Sequence, residues 1–544
     1  MATAELARPP LANHVREQTG GRLLVLSTVA LAVVAVGLRC WHLGNIPGLN
    51  GDEAWSGIQA LKLLGGEPIE WRTPTGNPVN IFFLLPQVIL HAIFPRSIEL
   101  LRVVPLVSGL AALAVNYWLC RMVFDRATAL ISTMALAILP INIAYSRFAW
   151  DASQTVLATL PVLYLPLLAL ADRPRRSRWL LLAMVAYAGA ILVHPTNILA
   201  GALLVMPALF TALESPRWSA HPIAGGLRSP RFLLLAGVLT TVAVVAARSV
   251  LGRNDQAAHE GLLEFMTRCG QLFSGTTVYR YIPGMEQTPS AGVVQVSSIW
   301  IDLAAGLAAV LAGYAFLRML RTRSDDQDIA LAASCGVLLL AFFVLAGPQA
   351  LAPGIERYAI VLVAPCVVLI SRGLRWWLAQ PKRRSLVLAI YSLYGWITLT
   401  TFYVNYFVAF EQGGGAAHLA FHTAAVEPKL QAMDYILSRR RQNEHTIIYT
   451  DPWWLRKPLE YFAHGRPGIE TRTWSNEEPV VKSGSDGHTV STWFVEFAGS
   501  ERYRELQPEL ARMGVDPTPR KVISSYAEKD LVLILRQSEK FLKK

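Results

Sequence analysis

Eleven apolar runs of roughly 20 residues each occupy most of the first 410 residues of this 544-residue chain. An α-helix needs about 20 apolar residues to cross the hydrocarbon core of a bilayer, so each run predicts a membrane span. The chain is therefore predicted to be a polytopic α-helical membrane protein. The predicted spans are 23–43, 102–122, 127–145, 152–171, 178–193, 197–213, 232–250, 298–317, 329–346, 358–376 and 386–408.

The charged residues divide the chain into two parts. Residues 1–410 carry 31 Lys and Arg against 20 Asp and Glu, whereas residues 411–544 carry 19 against 18. The net charge of +12 thus comes almost entirely from loops between apolar runs, and it does not indicate a nucleic-acid partner. We predict a membrane domain over 23–410 and a soluble domain over 411–544.

A short apolar stretch at 79–94 decides which loops share a side of the membrane. It has 16 residues and contains Pro86 and His91. If it does not cross and the N-terminal tail 1–22 is cytoplasmic, the cytoplasmic segments hold 20 Lys and Arg and the exterior loops hold 8, in line with the positive-inside rule. We therefore predict a half-buried or surface-lying helix inside a first exterior loop over 44–101, with a true span as the alternative. The C-terminal domain then lies outside.

Polar residues gather at the exterior ends of the predicted spans and in the exterior loops. Ionisable groups are expensive beside lipid and are therefore often functional there. Carboxylates, a histidine and arginines at one membrane surface are the groups that a reaction centre needs. The candidate residues are Asp52, Glu53, Arg147, Asp151, His194, Arg280, Arg357 and Tyr358.

The acidic candidates also have structural interpretations. Asp52 and Glu53 are suited to cap the helix that follows them, because acidic residues favour a helix N-terminus. Arg147 and Asp151 are four residues apart, the spacing of a helix salt bridge. These roles and a role in a site are compatible for Asp52 and Glu53.

The other candidates likewise have two interpretations each. His194 precedes a proline and is either a satisfied interfacial side chain or a ligand of the substrate. Arg357-Tyr358 either anchors a span at the headgroups or faces the site. The long exterior loop over 252–297, which contains Arg280, is either a mobile lid or a passive linker.

The soluble domain alternates helical and strand-like stretches, which predicts a small α/β unit. The motif Asp451-Pro452-Trp453-Trp454 follows a strand-like stretch. Its aromatic faces either touch a carbohydrate or polymer acceptor or pack against the membrane part. The predicted helix is 428–441, and the predicted strands are 446–450, 493–497 and 531–535.

Short motifs follow one another along the membrane part. They are Asp52-Glu53 after the first span, an apolar helix after Asn77-Pro78, Leu101-Arg102 at the second span, Pro140 with Tyr145-Ser146-Arg147 and Asp151, and Arg357-Tyr358 near Pro365. Their order and spacing over most of residues 20–380 resemble the lipid-dependent glycosyltransferases of the GT-C fold. The most similar branch is that of bacterial protein O-mannosyltransferase-like and aminoarabinose-transferase-like enzymes.

The resemblance implies an enzyme of the bacterial plasma membrane that moves a sugar from a polyprenyl-phosphate donor to an acceptor hydroxyl at the exterior face. The acceptor would be protein, lipid or polysaccharide. In this family the Asp of the first-loop pair is the catalytic base, which carries over to Asp52. The acidic residue of the second exterior loop lines the same site, which carries over to Asp151.

The chemistry of the expected reaction gives each remaining candidate residue a role. A leaving phosphate gathers negative charge, so a cation should face it. We expect Arg357 in this role, with Arg147 or Arg280 in support. Glu53, His194 and Asp151 would orient the sugar or the acceptor, and Tyr358 adjoins the phosphate partner. No metal or other cofactor is expected, because a lipid monophosphate can leave with arginine help alone.

The sequence differs from the aminoarabinose-transferase branch at two places, and one other functional class is an alternative. Ser56-Gly57 stands where the aminoarabinose branch has Arg-Tyr, and Asn77 stands where that branch has a lysine, so aminoarabinose transfer is disfavoured. The rival class is a transporter or flippase of lipid-linked sugars. A transporter predicts internal repeats and charges near mid-span, whereas the charged residues here cluster at one surface.

Overall fold

The computed structural model describes most of the membrane part and of the C-terminal domain. The described residues are 26–213 without 28, 256–279, parts of 306–321, 325–408 without 353, 423, 426–473 without 443, 489–512, 516–524 and 530–536. The predicted tail 1–22, the predicted span 232–250, most of the predicted span 298–317 and Arg280 lie outside these residues.

The membrane part is helical throughout the described residues. Its α-helices are α1 Val29–Cys40, α2 Gly51–Leu64, α3 Ile81–Ile93, α4 Ile98–Val123, α5 Arg126–Ile138, α6 Pro140–Tyr145, α7 Thr155–Ala171, α8 Arg176–Val193, α9 Ala202–Leu213, α10 Gln256–Ser274, α11 Thr276–Tyr279, α12 Asp326–Leu345, α13 Val363–Leu378 and α14 Pro381–Phe402. Between them lie 3₁₀ segments at Asp151–Gln154, Arg173–Arg175, Pro195–Gly201, Pro348–Leu351 and Glu356–Leu362, and a π-helical turn at Tyr403–Val408.

Six helical segments of the described part are long and apolar enough to cross a membrane. They are Ile98–Val123, Asp151–Ala171, Arg173–Val193, Asp326–Leu345, Glu356–Leu378 and Arg384–Val408. The predicted class of polytopic helical membrane protein is confirmed, while the predicted number of eleven spans stays a prediction.

One predicted span is interrupted. The run 127–145 forms α5 and α6, which are separated at Leu139, where the backbone is extended. Pro140 has no backbone N–H to continue a helix, and it disfavours helical geometry in the residue before it. The proline thus starts a new short helix that ends at Tyr145, beside the polar loop that follows.

The short helix α3 corresponds to the stretch 79–94. Its 13 residues reach about 20 Å, less than the hydrocarbon thickness of about 30 Å. One face exposes apolar side chains such as Phe82 and Ile89, while Phe83 and Leu84 are buried on the other. The length agrees with a helix that does not cross, and the sidedness of the chain stays a prediction.

The predicted exterior loop 252–297 contains an unpredicted helix. Residues Gln256–Ser274 form α10, and its buried Phe265 contacts Phe343 with 5.2 Å between the ring centroids. An amphipathic helix buries its apolar face against the bundle, and the interpretations of the whole loop as a mobile lid or a passive linker stay predictions.

The C-terminal domain is an α/β unit, as predicted. Its sheet has the order β2-β1-β3-β5-β4, with β1 parallel to β2 and β3, and β5 antiparallel to β3 and β4. The short strands β2 and β4 and the second and third helices were not predicted. The elements are α15 Lys429–Ser438, β1 Glu444–Tyr449, α16 Trp453–Ala463, β2 Ile469–Arg472, β3 Thr489–Phe497, α17 Glu501–Arg512, β4 Lys521–Ser524 and β5 Asp530–Arg536.

One apolar core joins the C-terminal domain to the membrane part. Leu49, just before α2, and Ile58, in α2, share this core with Leu455 and Leu459 of α16. All four side chains are fully buried. Glu427 adds a polar contact, because its carboxylate accepts from the backbone N–H of Leu49. The C-terminal domain is thereby docked directly on α2.

Candidate active site

The N-terminus of α2 places the first candidate carboxylate. The Asn50 side chain accepts from the backbone N–H of Asp52 at 2.7 Å, and the backbone N–H of Asn50 donates to Glu53 at 3.0 Å. This reciprocal cap satisfies N–H groups that have no partner within the helix. It leaves Asp52 half-buried in the first turn, where the helix dipole favours a negative charge.

Glu53 points into the protein and forms a buried ion pair. Its carboxylate accepts from Arg102 Nε at 2.9 Å, from Arg102 Nη2 at 2.7 Å and from the backbone N–H of Ala149 at 2.7 Å. The side chains of Glu53 and Arg102 are both fully buried. The pair ties α2 to α4 and to the loop before Asp151, so Glu53 supports the site from beneath.

Asp52 opens onto a cavity between the exterior-end loops. The cavity encloses about 730 Å³ of empty space, part of which opens to solvent. It brings together four sequence-predicted residues from four separate segments of the chain: Asp52, Asp151, His194 and Arg357. The other lining residues are Trp55, Ser56, Gln59, Thr73, Pro74, Thr75, Asn77, Val79, Asn80, Phe83, Leu84 and Trp150.

Arg357 supplies the positive charge of this cavity. Its guanidinium carbon lies 4.3 Å from the ring centroid of Trp150, and a guanidinium in this position is attracted to the aromatic face. One of its N–H groups donates to the Tyr358 hydroxyl at 3.3 Å. Asp52 and Arg357 attract each other electrostatically. The arginine is therefore held near the first carboxylate.

The neighbouring Glu356 fixes the segment that carries Arg357. Glu356 is fully buried, and it accepts from the Tyr145 hydroxyl at 3.0 Å. Tyr145 in turn stacks parallel to Trp150, with 6.4 Å between the ring centroids. Glu356 and the two aromatic rings thus connect the Arg357 segment to the loop that contains Asp151.

His194 contributes a neutral hydrogen-bonding group. Its Nδ1 lies 2.6 Å from the Thr196 hydroxyl and accepts from the backbone N–H of Thr196 at 3.4 Å. The neutral ring then carries its proton on Nε2. Burial lowers the pKa of His194 below its usual 6.5, although the charge of Asp151 opposes the shift and that of Arg357 adds to it. At neutral pH the ring can donate a hydrogen bond without adding charge.

The structure does not bring every candidate to the cavity lining. Glu53 lies beneath it, and Tyr358 lies behind Arg357. Arg147 is fully buried, donates to the carbonyls of Leu38 at 2.7 Å and Ile46 at 2.8 Å, and so joins α1 to the loop after it. Rather than forming the predicted salt bridge with Asp151 or facing a phosphate, Arg147 holds backbone together.

Several lining residues were not predicted as site residues. Thr73, Thr75 and Asn77 belong to the loop between α2 and α3, and Asn80 donates to Gln154 at 2.8 Å. Hydroxyl and amide groups of this kind hydrogen-bond sugars readily. The only sequence signal for them was Asn77, at a position where a related branch carries lysine.

The C-terminal domain contacts Asp52, one of the residues that line the cavity. The Trp453 indole N–H donates to Asp52 Oδ1 at 2.9 Å, across the interface between α16 and α2. Of the two interpretations of the Trp453-Trp454 pair, packing against the membrane part therefore holds for Trp453. Trp454 is 38% exposed.

Comparisons with known proteins agree with this architecture. Residues 78–247 match the family described as dolichyl-phosphate-mannose-protein mannosyltransferase. A crystal structure of ArnT from Cupriavidus metallidurans in the apo state is similar at 16% identity and TM-score 0.50, covering 95% of this chain and 98% of that one. No curated relative matches the chain by sequence.

Two further solved structures have lower TM-scores. The same ArnT bound to undecaprenyl phosphate matches at 16% identity and TM-score 0.48, over 95% of this chain and 98% of that one. The apo oligosaccharyltransferase of Archaeoglobus fulgidus matches at 15% identity and TM-score 0.48, over 90% of this chain and 71% of that one.

The similarity to ArnT shows the predicted GT-C fold. The predicted resemblance to PMT/ArnT-like proteins of this fold is confirmed. The chain is an integral membrane protein.

Proposed function

We propose that this protein is an inverting glycosyltransferase that moves a sugar from a polyprenyl-phosphate donor to an acceptor hydroxyl. The observation that carries the proposal is the cavity in which Asp52, Asp151 and Arg357 meet from separate segments. The family match at residues 78–247 favours a transferase over a transporter or flippase of lipid-linked sugars. We further propose that the cavity faces the exterior of a bacterial plasma membrane.

The reaction needs a base on the acceptor side. An acceptor hydroxyl must lose its proton as its oxygen attacks the anomeric carbon, and a positioned carboxylate can take that proton. Asp52 is suited to this role, because it is half-buried at the cavity wall and lies at a helix N-terminus that favours its ionised form. Attack from the face opposite the leaving group inverts the anomeric centre without an enzyme-bound intermediate.

The reaction also needs a cation on the donor side. The phosphate leaves as the bond from its oxygen to the anomeric carbon breaks, and its added negative charge is stabilised by a fixed cation. Arg357 is suited to this role, since stacking on Trp150 leaves the guanidinium in place before the donor arrives. Asp151 and His194 would then hydrogen-bond the sugar or the acceptor. We propose that no metal ion is needed.

The test is transfer of radiolabelled sugar from synthetic polyprenyl-phosphate donors by the purified protein and by Asp52→Asn. Removing a positioned base typically costs about 10²–10⁴ in rate, so Asp52→Asn should lose at least about 99% of kcat. A product with inverted anomeric configuration supports the mechanism. Transfer by Asp52→Asn near the wild-type rate would remove Asp52 from this role, and movement of donor across vesicles without transfer would favour the flippase.

A set of synthetic donors tests which sugar the protein transfers. Donors carrying mannose, glucose, galactose and a pentose, on the same polyprenyl chain, compare hexosyl with pentosyl transfer. Because the family described at residues 78–247 is a mannosyltransferase family, we propose a hexose donor. A kcat/KM for the pentose donor above that of every hexose donor would overturn the choice.

A further inference from the structure

The contact between α2 and α16 is unusually close at the position of Asp52. A Cβ atom placed on Gly51 would lie 2.7 Å from the carbonyl oxygen of Trp453 and 2.6 Å from its Nε1. A Cβ on Gly57 would lie 2.7 Å from Tyr461. Only residues without a side chain permit this approach. The start of α16 therefore packs directly against the helix turn that carries the proposed base.

The Trp453 ring is held on more than one side. Gly51 lies against the ring, and Lys457 Nζ and Arg456 Cζ lie 5.2 Å and 5.9 Å from its centroid. A cation near an aromatic ring is attracted to the π-system. Lys457 is itself fixed by Glu460 at 2.8 Å. The indole is thus placed by α2 and by its own helix before any substrate binds.

The indole N–H donates to Asp52 Oδ1 at 2.9 Å. An indole N–H is a donor only, so it can bond the ionised carboxylate but accepts no proton from it. The backbone of Asp52 is fixed by Asn50, and the indole bond adds a constraint on the rotation of the carboxylate. A base that must meet a hydroxyl proton in one direction benefits from such a constraint, because small misplacements cost much of the rate.

We propose that Trp453 is a positioning residue: the C-terminal domain supplies the N–H that orients the Asp52 carboxylate toward the acceptor hydroxyl. The inference rests on the proposed function of Asp52. In the step it serves, the hydroxyl proton moves to Asp52, the acceptor oxygen bonds the anomeric carbon, and the electron pair of the broken bond stays on the leaving phosphate. The Trp453 proton stays on its nitrogen throughout.

The test compares Trp453→Phe with Trp454→Phe, an identical change at the neighbouring indole. Trp453→Phe keeps an aromatic ring and removes the N–H, so kcat should fall about 10- to 100-fold, with little change in the KM for donor. A hydrogen bond to the ionised form favours that form, so the acidic limb of the kcat profile should move to higher pH. Trp454→Phe should match the wild type in both measurements.

The pH profile also separates positioning from misfolding. Each rate is divided by the folded fraction measured at the same pH, so a partly folded Trp453→Phe preparation still gives an answer. The titratable and charged groups around the carboxylate are the same in the wild type and in both tryptophan variants. They are Asp151, His194 and Arg357 in the cavity and Arg456 and Lys457 over the indole.

The two hypotheses fail in different ways. If Asp52→Asn is inactive while Trp453→Phe keeps the wild-type kcat and pH profile, the positioning role is wrong and the proposed base stands. If Asp52→Asn transfers sugar at the wild-type rate, the proposed base itself is wrong.

Discussion

Replacing Glu53 by Gln should destabilise the protein strongly, although Glu53 lies next to the proposed base. The variant leaves Arg102 as a buried charge without its carboxylate partner. Breaking a buried ion pair in this way costs about 3–5 kcal/mol. We expect the lower end, about 3 kcal/mol, because Arg102 also donates to the carbonyls of Leu43 at 2.7 Å and Pro47 at 2.9 Å, and these bonds remain.

A double-mutant cycle measures this interaction. The free energy of unfolding would be followed by SDS titration in mixed micelles for Glu53→Gln, Arg102→Gln and the double variant. The double variant leaves neither charge, so it should cost less than the sum of the single variants, by on the order of 2 kcal/mol.

A partly exposed ion pair gives the matched control. Lys62 and Glu70 are 4.0 Å apart, with side chains 25% and 56% exposed, and such pairs contribute about 0–1 kcal/mol. Lys62→Gln should therefore unfold almost as the wild type does. If Glu53→Gln were equally harmless, or if the two single changes simply added in the double variant, the buried pair would not be the support that the geometry indicates.

Three further predictions concern pH, packing and metal ions. Because burial lowers the pKa of His194 from 6.5, the unfolded chain binds a proton below that pH before the folded protein does, so stability should fall as the pH drops below 6.5. His194→Gln should reduce this loss in thermal melts compared at about pH 7.5 and about pH 5.5, and an unchanged pH dependence would contradict it. Gly51→Ala should lower the free energy of unfolding by about 1–3 kcal/mol, because the added Cβ forces α16 away from α2. Gly189→Ala, with no atom within 4 Å of the added Cβ, should not destabilise the protein in this way. Equal melting temperatures of the two variants would refute the close contact. Transfer should persist in EDTA, and a loss that Mg²⁺ or Mn²⁺ restores would show a metal requirement.

The membrane helices were predictable because their signal is local. A run of about 20 apolar residues is sufficient to indicate a span, whatever its neighbours are. The break at Pro140 and the helix Gln256–Ser274 were missed for opposite reasons. Pro140 lies inside an apolar run that is long enough to predict one continuous span. The helix Gln256–Ser274 is amphipathic, so its polar residues indicated a loop.

The site was predictable only as a set of loops. The sequence identified Asp52 and Glu53 together, but neighbouring residues on a helix point about 100° apart. Asp52 faces the cavity and Glu53 faces the core. Only the tertiary fold determines which of the two does which. The contact of Trp453 with Asp52 joins residues 401 positions apart, so no local pattern indicates it.

The most direct test of the account measures donor binding and sugar transfer on the same two variants. Asp52→Asn should bind polyprenyl phosphate about as the wild type does and lose transfer, because it lacks the base and keeps the phosphate partner. Arg357→Gln should bind polyprenyl phosphate more weakly, by about tenfold or more, since it loses a charge-assisted bond to the phosphate. Wild-type transfer by Asp52→Asn, together with wild-type binding by Arg357→Gln, would contradict the claim that this cavity is the active site.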